Sequence, residues 1–208
     1  VLSAGGVGGA TGDRSMQRSM PFPPYDGRME RVHRAARGAA AERLVVLGGT
    51  AILACDLIDP TLDARIYAAS EHAIGAASWL FHLGVGTILA AVLLLIVRLR
   101  AKRQRGRAPR SLVVAAIAIV GLVVFPTDPG WSVVSVPGRL HPIFALIAAI
   151  SLLDAGSLLA HKGRLLRDWA LFWAFGFVGG FAGGPGFAER LALAVVGLLL
   201  FLGARRSR

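Results

Sequence analysis

Ala73–Val97, AIGAASWLFHLGVGTILAAVLLLIV, runs directly into Arg98–Arg110, RLRAKRQRGRAPR. The first stretch exceeds the roughly 20 apolar residues needed to cross about 30 Å of hydrocarbon. The second carries seven Lys or Arg in thirteen positions, a composition that stays in water. Working outward, five more apolar runs appear: Leu44–Ile58, Ser111–Phe125, Pro142–Ala160, Trp169–Ala182 and Leu191–Gly203. Several are shorter than a full crossing and must borrow flanking residues such as Ala40, Pro126 and Glu189. The fold class expected is all-α: a polytopic membrane protein with six transmembrane helices.

Charge orders these runs. The segment Val1–Arg43 holds seven Arg, the loop Arg98–Arg110 seven Lys or Arg, the loop after Ala160 three, and Arg205, Arg206 and Arg208 another three, twenty of the 23 in the chain. The alternate loops hold only Arg65, Arg139 and Arg190, with Asp59, Asp63, Glu71, Asp128 and Glu189 among them. By the positive-inside rule both termini are cytoplasmic and the acidic loops face outward. A formal charge of +11 therefore reads as topology. It argues against nucleic acid, which needs its basic residues gathered on one soluble face, and favours contact with anionic lipid.

The chain divides into a basic, Gly/Pro-rich cytoplasmic tail over residues 1–43, a six-helix bundle over 44–203 and a basic end over 204–208. The tail has too few apolar side chains to fold alone. Ordering it needs a partner surface, with Met20, Phe22 and Tyr25 as the apolar contacts. Cys55 is the single cysteine, which excludes an intrachain disulfide. No cleavable signal peptide is expected, because the first apolar run follows a long Arg-bearing tail; it reads as a signal anchor.

The acidic side carries the distinctive motifs. They are Ser70-Glu71 ahead of Trp79-Leu80-Phe81, then Phe125-Pro126-Thr127-Asp128, then Gly138-Arg139-Leu140-His141. This ordered set resembles an uncharacterised bacterial family of six-helix membrane proteins, domain of unknown function 998, over about residues 44–203. The resemblance implies the architecture and carries no established activity. His82 departs from it, standing where Asn or another small polar residue is expected, and the tail lies outside it.

Glu71, Asp128, His141 and Glu189 fall on one membrane face and form a candidate outer polar cluster. Such a set suits proton handling, a divalent metal or the polar mouth of a solute site. The competing reading is helix capping, with Asp and Glu complementing helix dipoles, Pro126 and Pro129 turning the chain, and Arg139 pairing with an acid. Glu71 and His72 are adjacent and cannot both reach one ion from a regular helix, so no metal site is assigned. A haem between His82 and His141 is disfavoured because the two differ in depth by about 15 Å, at 1.5 Å per residue. No cofactor is assigned.

Within the spans, Asp56 lies near the outer end of the first helix. Asp154 is deeper and shares a helical face with Ser151 and His161. An intramembrane acid normally faces the bundle interior, so Asp154 is expected to bridge helices, with an ion path as the alternative. His82 is expected to hydrogen-bond a neighbouring helix. Gly176, Gly179, Gly180, Gly183 and Gly184 give the fifth helix a repeated Gly-x-x-x-Gly face for close packing, or a broken helix end beside Glu189. Trp79 and Trp131 suit one interface and Trp169 the other.

No Walker loop, Gly-x-Ser-x-Gly elbow or His-Glu-x-x-His pair is present. The function expected is a non-catalytic accessory or structural subunit, touching the lipid bilayer and other integral membrane subunits through the tail and the glycine-rich fifth helix. The alternative is a small-solute carrier or membrane enzyme using the outer cluster.

Overall fold

The computed structural model describes the backbone of residues 27–129, 135–161 and 165–207, and the side chains from 39 onward within those ranges except at 161, 165, 166, 175, 177–179 and 182. Residues 1–26 of the tail, Trp131, and the surroundings of His161 and Gly179 lie outside the described residues.

Six helices follow one another: α1 (Gly27–Ile58), α2 (Ser78–Ala101), α3 (Arg107–Val124), α4 (Val136–His161), α5 (Leu165–Gly183) and α6 (Pro185–Arg206), with a short 3₁₀ helix at Ala69–Ala73. Four of them, α2, α3, α4 and α6, are long and apolar enough to cross a membrane. Their boundaries differ from the apolar runs for local reasons. α1 starts at Gly27, so residues 27–43 of the segment read as a tail are helical. α2 starts at Ser78 instead of Ala73, because residues 69–73 close the 3₁₀ helix first. α4 and α6 each begin several residues early, with Pro137 and Pro185 in the first turn, where a missing N–H costs nothing.

Among the described residues, α1 packs on α2 and α6, α2 on α3, α3 on α4, and α4 on α6, which closes a ring of five helices. α5 lies outside the ring, against α6 and more lightly against α4. The direction of α6 follows from two close approaches. A Cβ on Gly156 would stand 3.0 Å from the backbone of Leu199 and Leu200, and one on Gly203 would stand 2.8 Å from Leu159. Positions rise together along both helices, so α4 and α6 are parallel and α5 must carry the chain back between them. At nineteen residues α5 spans about 28 Å, enough for that return.

The core is unevenly distributed. Leu95, Leu99, Leu112, Leu153 and Leu200 are fully enclosed, and all lie toward the end of the bundle that carries the basic loops. Its apolar packing is not continuous, since a cavity of about 380 Å³ between α1 and α6 is lined by Val45, Val196, Leu200 and Phe201. Asp154 sits at the same end, accepting from Arg107 Nε at 2.9 Å and Ser111 Oγ at 2.6 Å, so it ties α4 to α3. Asp168, wholly buried, accepts from Ser157 Oγ at 2.6 Å and ties α5 to α4. Outside, Leu47, Leu57, Ile117, Val124, Trp173 and Phe181 are exposed around the bundle, the apolar girdle that contact with lipid requires.

One expectation changes. Among the described residues His82 bonds to no neighbouring helix; it is exposed near the start of α2 and its Nδ1 meets Ser78 O, one turn back, at 2.7 Å. Close contacts at glycine occur on α5 and on other helices: a Cβ on Gly183 would run into the Phe187 ring at the start of α6, and one on Gly180 would stand 3.8 Å from Ala188. A Cβ on Gly48 would come 2.8 Å from Gly84 O, joining α1 to α2, whereas one on Gly176 would have no heavy atom within 4 Å.

Candidate functional site

The opposite end of the bundle is polar and incompletely filled. Its first element is an ion pair that locks the loop after α1 onto α6. Arg190, in the second turn of α6 and only 8% exposed, directs Nε to Asp56 Oδ2 at 2.8 Å and Nη2 to Asp56 Oδ1. Its Nη1 donates to the carbonyls of Gly186 (3.0 Å), Ala64 (3.1 Å) and Tyr67 (2.9 Å). All three guanidinium nitrogens thus have acceptors. Asp56 Oδ1 also accepts from His72 Nε2 at 2.8 Å, and His72 is completely enclosed, its Nδ1 without a partner among the described residues. Arg190, not the exposed Arg139, is thus the arginine that pairs with an acid here. Asp56, half-buried, binds α1 to α6.

The second element is the start of α4. Asp128 accepts from Ser135 N at 2.8 Å and Ser135 Oγ at 2.7 Å, and Ser135 Oγ accepts from Gly138 N at 2.9 Å. Ser135 is the N-cap and Asp128 orients it from seven residues upstream. A Cβ on residue 138 would fall 2.0 Å from Asp128 Oδ2, so only glycine admits the carboxylate. Asp128 therefore does the capping considered for it from the sequence. One turn further, His141 Nδ1 lies 2.8 Å from Phe125 O, at the end of α3. Because a carbonyl only accepts, Nδ1 carries the hydrogen and Nε2 is left as the acceptor. That nitrogen is buried and has no partner among the described residues, in a side chain 4% exposed.

The third element lies across from His141. The N–H of Ala69 donates to Glu189 Oε2 at 3.0 Å, holding the 3₁₀ helix against α6. Glu71 reaches back to the Ala68 N–H at 3.4 Å.

Between these elements α4 and α6, so close at Gly156 and Gly203, splay apart and leave a cavity of about 390 Å³. Glu71, Asp128, His141 and Glu189 all line it, together with Ser70 and Thr127. The four residues picked from the sequence are therefore brought to one space. Its floor is apolar: Ala145, Leu146, Ala149, Phe172, Ala192 and Leu193. His82 and Asp154 are absent from its lining, and of the α5 glycines none lines it. Gly184 instead turns the chain between α5 and α6 at φ +88°. Among the described residues no three His, Cys, Asp or Glu side chains are grouped so as to hold a metal ion.

Sequence reasoning missed Asp56, His72 and Arg190 as one unit, since they are separated by up to 134 positions. The available signal was an arginine one residue after Glu189, at the start of an apolar run that could leave no charge unpaired.

The sequence model of one family, described as Protein of unknown function (DUF998), matches residues 45–206, so the chain belongs to that family. No curated protein and no solved structure matches it.

Proposed function

We propose that this DUF998 member is a six-span membrane protein that binds a small amphiphilic ligand in the cavity between α4, α5 and α6. The observation that carries this reading is His141 Nε2, a buried acceptor without a partner among the described residues in the wall of a cavity shared with Glu71 and Glu189. Leaving such an atom unsatisfied costs about 1–3 kcal/mol, a penalty that a bound donor removes. A polar rim over an apolar floor is also the usual build of a small-molecule site. This favours the small-solute alternative over the accessory subunit. The accessory role would draw on the tail and on the open space beside Gly176, where a neighbouring helix has room.

The test is native mass spectrometry of the full chain released from a mild detergent, beside Ala149→Phe, whose ring fills the apolar floor. The wild type should carry a small-molecule adduct that the equally folded variant lacks. Identical adduct profiles would sink the ligand reading.

The topology belongs to the same proposal, with both termini and the basic loops on the cytoplasmic side of a bacterial inner membrane. It rests on the distribution of Arg and Lys, and the parallel α4 and α6 support it by requiring α5 to cross. In a Cys55→Ala background, cysteine at Arg65 should react with an impermeant thiol reagent in intact cells and cysteine at Gly106 should not. The opposite pattern overturns the orientation.

A further inference from the structure

From the Asp56–Arg190 pair toward the basic end, the cavity of about 380 Å³ forms a groove between α1 and α6. Apart from Thr50 and Arg190 its lining is apolar. A Cβ on Gly49 or Gly197, one in each wall, would meet no heavy atom within 4 Å, so the two helices stay apart where glycine would have allowed contact. Val46, Leu53 and Leu198, also in the walls, are each more than half exposed and belong to the same apolar girdle as Leu47 and Leu57. The groove therefore opens sideways onto lipid, where a hydrocarbon chain supplies the dispersion contacts that its walls do not make with each other.

Its length and its two ends determine what kind of molecule brings that chain. At 1.5 Å per residue the α6 wall from Arg190 to Phe201 runs about 16 Å, half of the roughly 30 Å hydrocarbon core and so the depth of one leaflet. The ends differ in charge. At one, Arg190 is already paired with Asp56 and has an acceptor at each nitrogen. At the other, helical spacing continues both walls into arginine. Arg43 lies three residues before Val46 and seven before Thr50, and Arg205 lies four after Phe201 and seven after Leu198. Both are exposed, one turn beyond the apolar walls, where headgroups lie.

We propose that an anionic phospholipid of the leaflet at the basic end seats one acyl chain in this groove, with its phosphate held by Arg43 and Arg205. A zwitterionic lipid with the same tails fills the groove as well, but it brings a second cation to the two arginines, so headgroup charge sets the preference. The site is separate from the cavity of His141, with which its lining shares only Leu193, and it does not depend on what that cavity binds.

The experiment titrates the full chain in a neutral mild detergent with phosphatidylglycerol or phosphatidylcholine bearing identical oleoyl tails, and native mass spectrometry follows the one-to-one phospholipid adduct. Phosphatidylglycerol should saturate with an apparent Kd about tenfold or more below that of phosphatidylcholine, as two arginines near a headgroup imply. Arg43→Gln with Arg205→Gln should bring the two lipids to equal affinity. Arg103→Gln with Arg105→Gln, which removes the same charge from the exposed basic loop, should keep the preference. Gly197→Phe, whose ring fills the groove, should weaken both lipids about tenfold or more, and Gly49→Leu from the opposite wall serves the same purpose should the first fold poorly.

Equal affinity of the two lipids for the wild type overturns the proposal. So does a preference that survives loss of Arg43 and Arg205, or one that disappears with Arg103 and Arg105, since either places the headgroup elsewhere. Unchanged binding to the folded groove-filling variant overturns it as well, because the acyl chain then lies outside the groove.

Discussion

His72 and His141 are built alike and placed differently. Each is buried, and each ring makes one strong bond, His72 to Asp56 across helices and His141 to the last carbonyl of α3. Among the described residues each leaves its other nitrogen without a partner. His72 is walled in by an ion pair that staples α1, the following loop and α6 together. His141 stands on a cavity with two glutamates opposite. An orphan nitrogen in a sealed core is a tolerated cost of structure, whereas one on a cavity wall is a place for a ligand. The same contrast separates the two ends of the bundle. Fully enclosed leucines concentrate toward the basic end, while carboxyls that accept from backbone N–H groups gather at the other.

The comparison breaks first at Arg190. Arg190→Leu leaves the half-buried Asp56 beside His72 and strips the loop carbonyls of Ala64 and Tyr67 of their donor, and the loss should reach about 3–5 kcal/mol, seen as collapse of the monodisperse yield in size-exclusion chromatography. Adding Asp56→Leu removes the stranded charge and should recover part of that yield. No recovery would mean that the carbonyl contacts, and not the ion pair, hold the loop.

A smaller effect distinguishes the two imidazoles directly. His72→Ala should lower the unfolding midpoint by an amount corresponding to about 2–4 kcal/mol, because it opens a void and frees a carboxyl oxygen in a closed site. His141→Gln retains a donor for the Phe125 carbonyl, so its midpoint should move by less than about 1 kcal/mol while the adduct seen by native mass spectrometry is lost. If both variants unfold alike, the two histidines are equivalent structural groups and the distinction fails.

Asp128 sharpens the boundary between cap and site. Ser135→Ala and Asp128→Ala should each cost about 1 kcal/mol, as expected for a helix N-cap, and the double variant should cost less than their sum because both act on the same Gly138 N–H. Full additivity would place Asp128 in a role apart from the cap.

The smallest expected effect belongs to His82. It faces outward and bonds only to its own helix, so His82→Leu should change the midpoint by less than about 0.5 kcal/mol and leave the adduct intact. A loss of adduct would mean that the site extends beyond the cavity.

Most of this architecture is legible in the chain itself. A run such as Ala73–Val97 has one stable arrangement in hydrocarbon, with its backbone bonds satisfied within a helix, and the clustering of Arg in alternate loops orders the runs without reference to packing. The motifs around Glu71, Asp128, His141 and Glu189 place those residues at one end, since each adjoins the end of an apolar run on the acidic side. What sequence could not supply was which of them are spent. That Asp128 is consumed by Ser135, that Arg190 is consumed by Asp56 across 134 positions, and that His141 keeps one nitrogen open depend on distances between helices. The glycines show the same division. The Gly-x-x-x-Gly series of α5 was the conspicuous pattern, and Gly183 of that series does press on Phe187 of α6, but Gly176 has open space, while Gly48 with Gly84 and Gly156 with Leu199 make close approaches that no spacing announced. Spacing along one helix determines which residues share a face, and the packing of several helices determines which face has a neighbour. The cavity exists because α4 and α6 touch at one end and part at the other, a property of two helices that neither sequence segment contains alone.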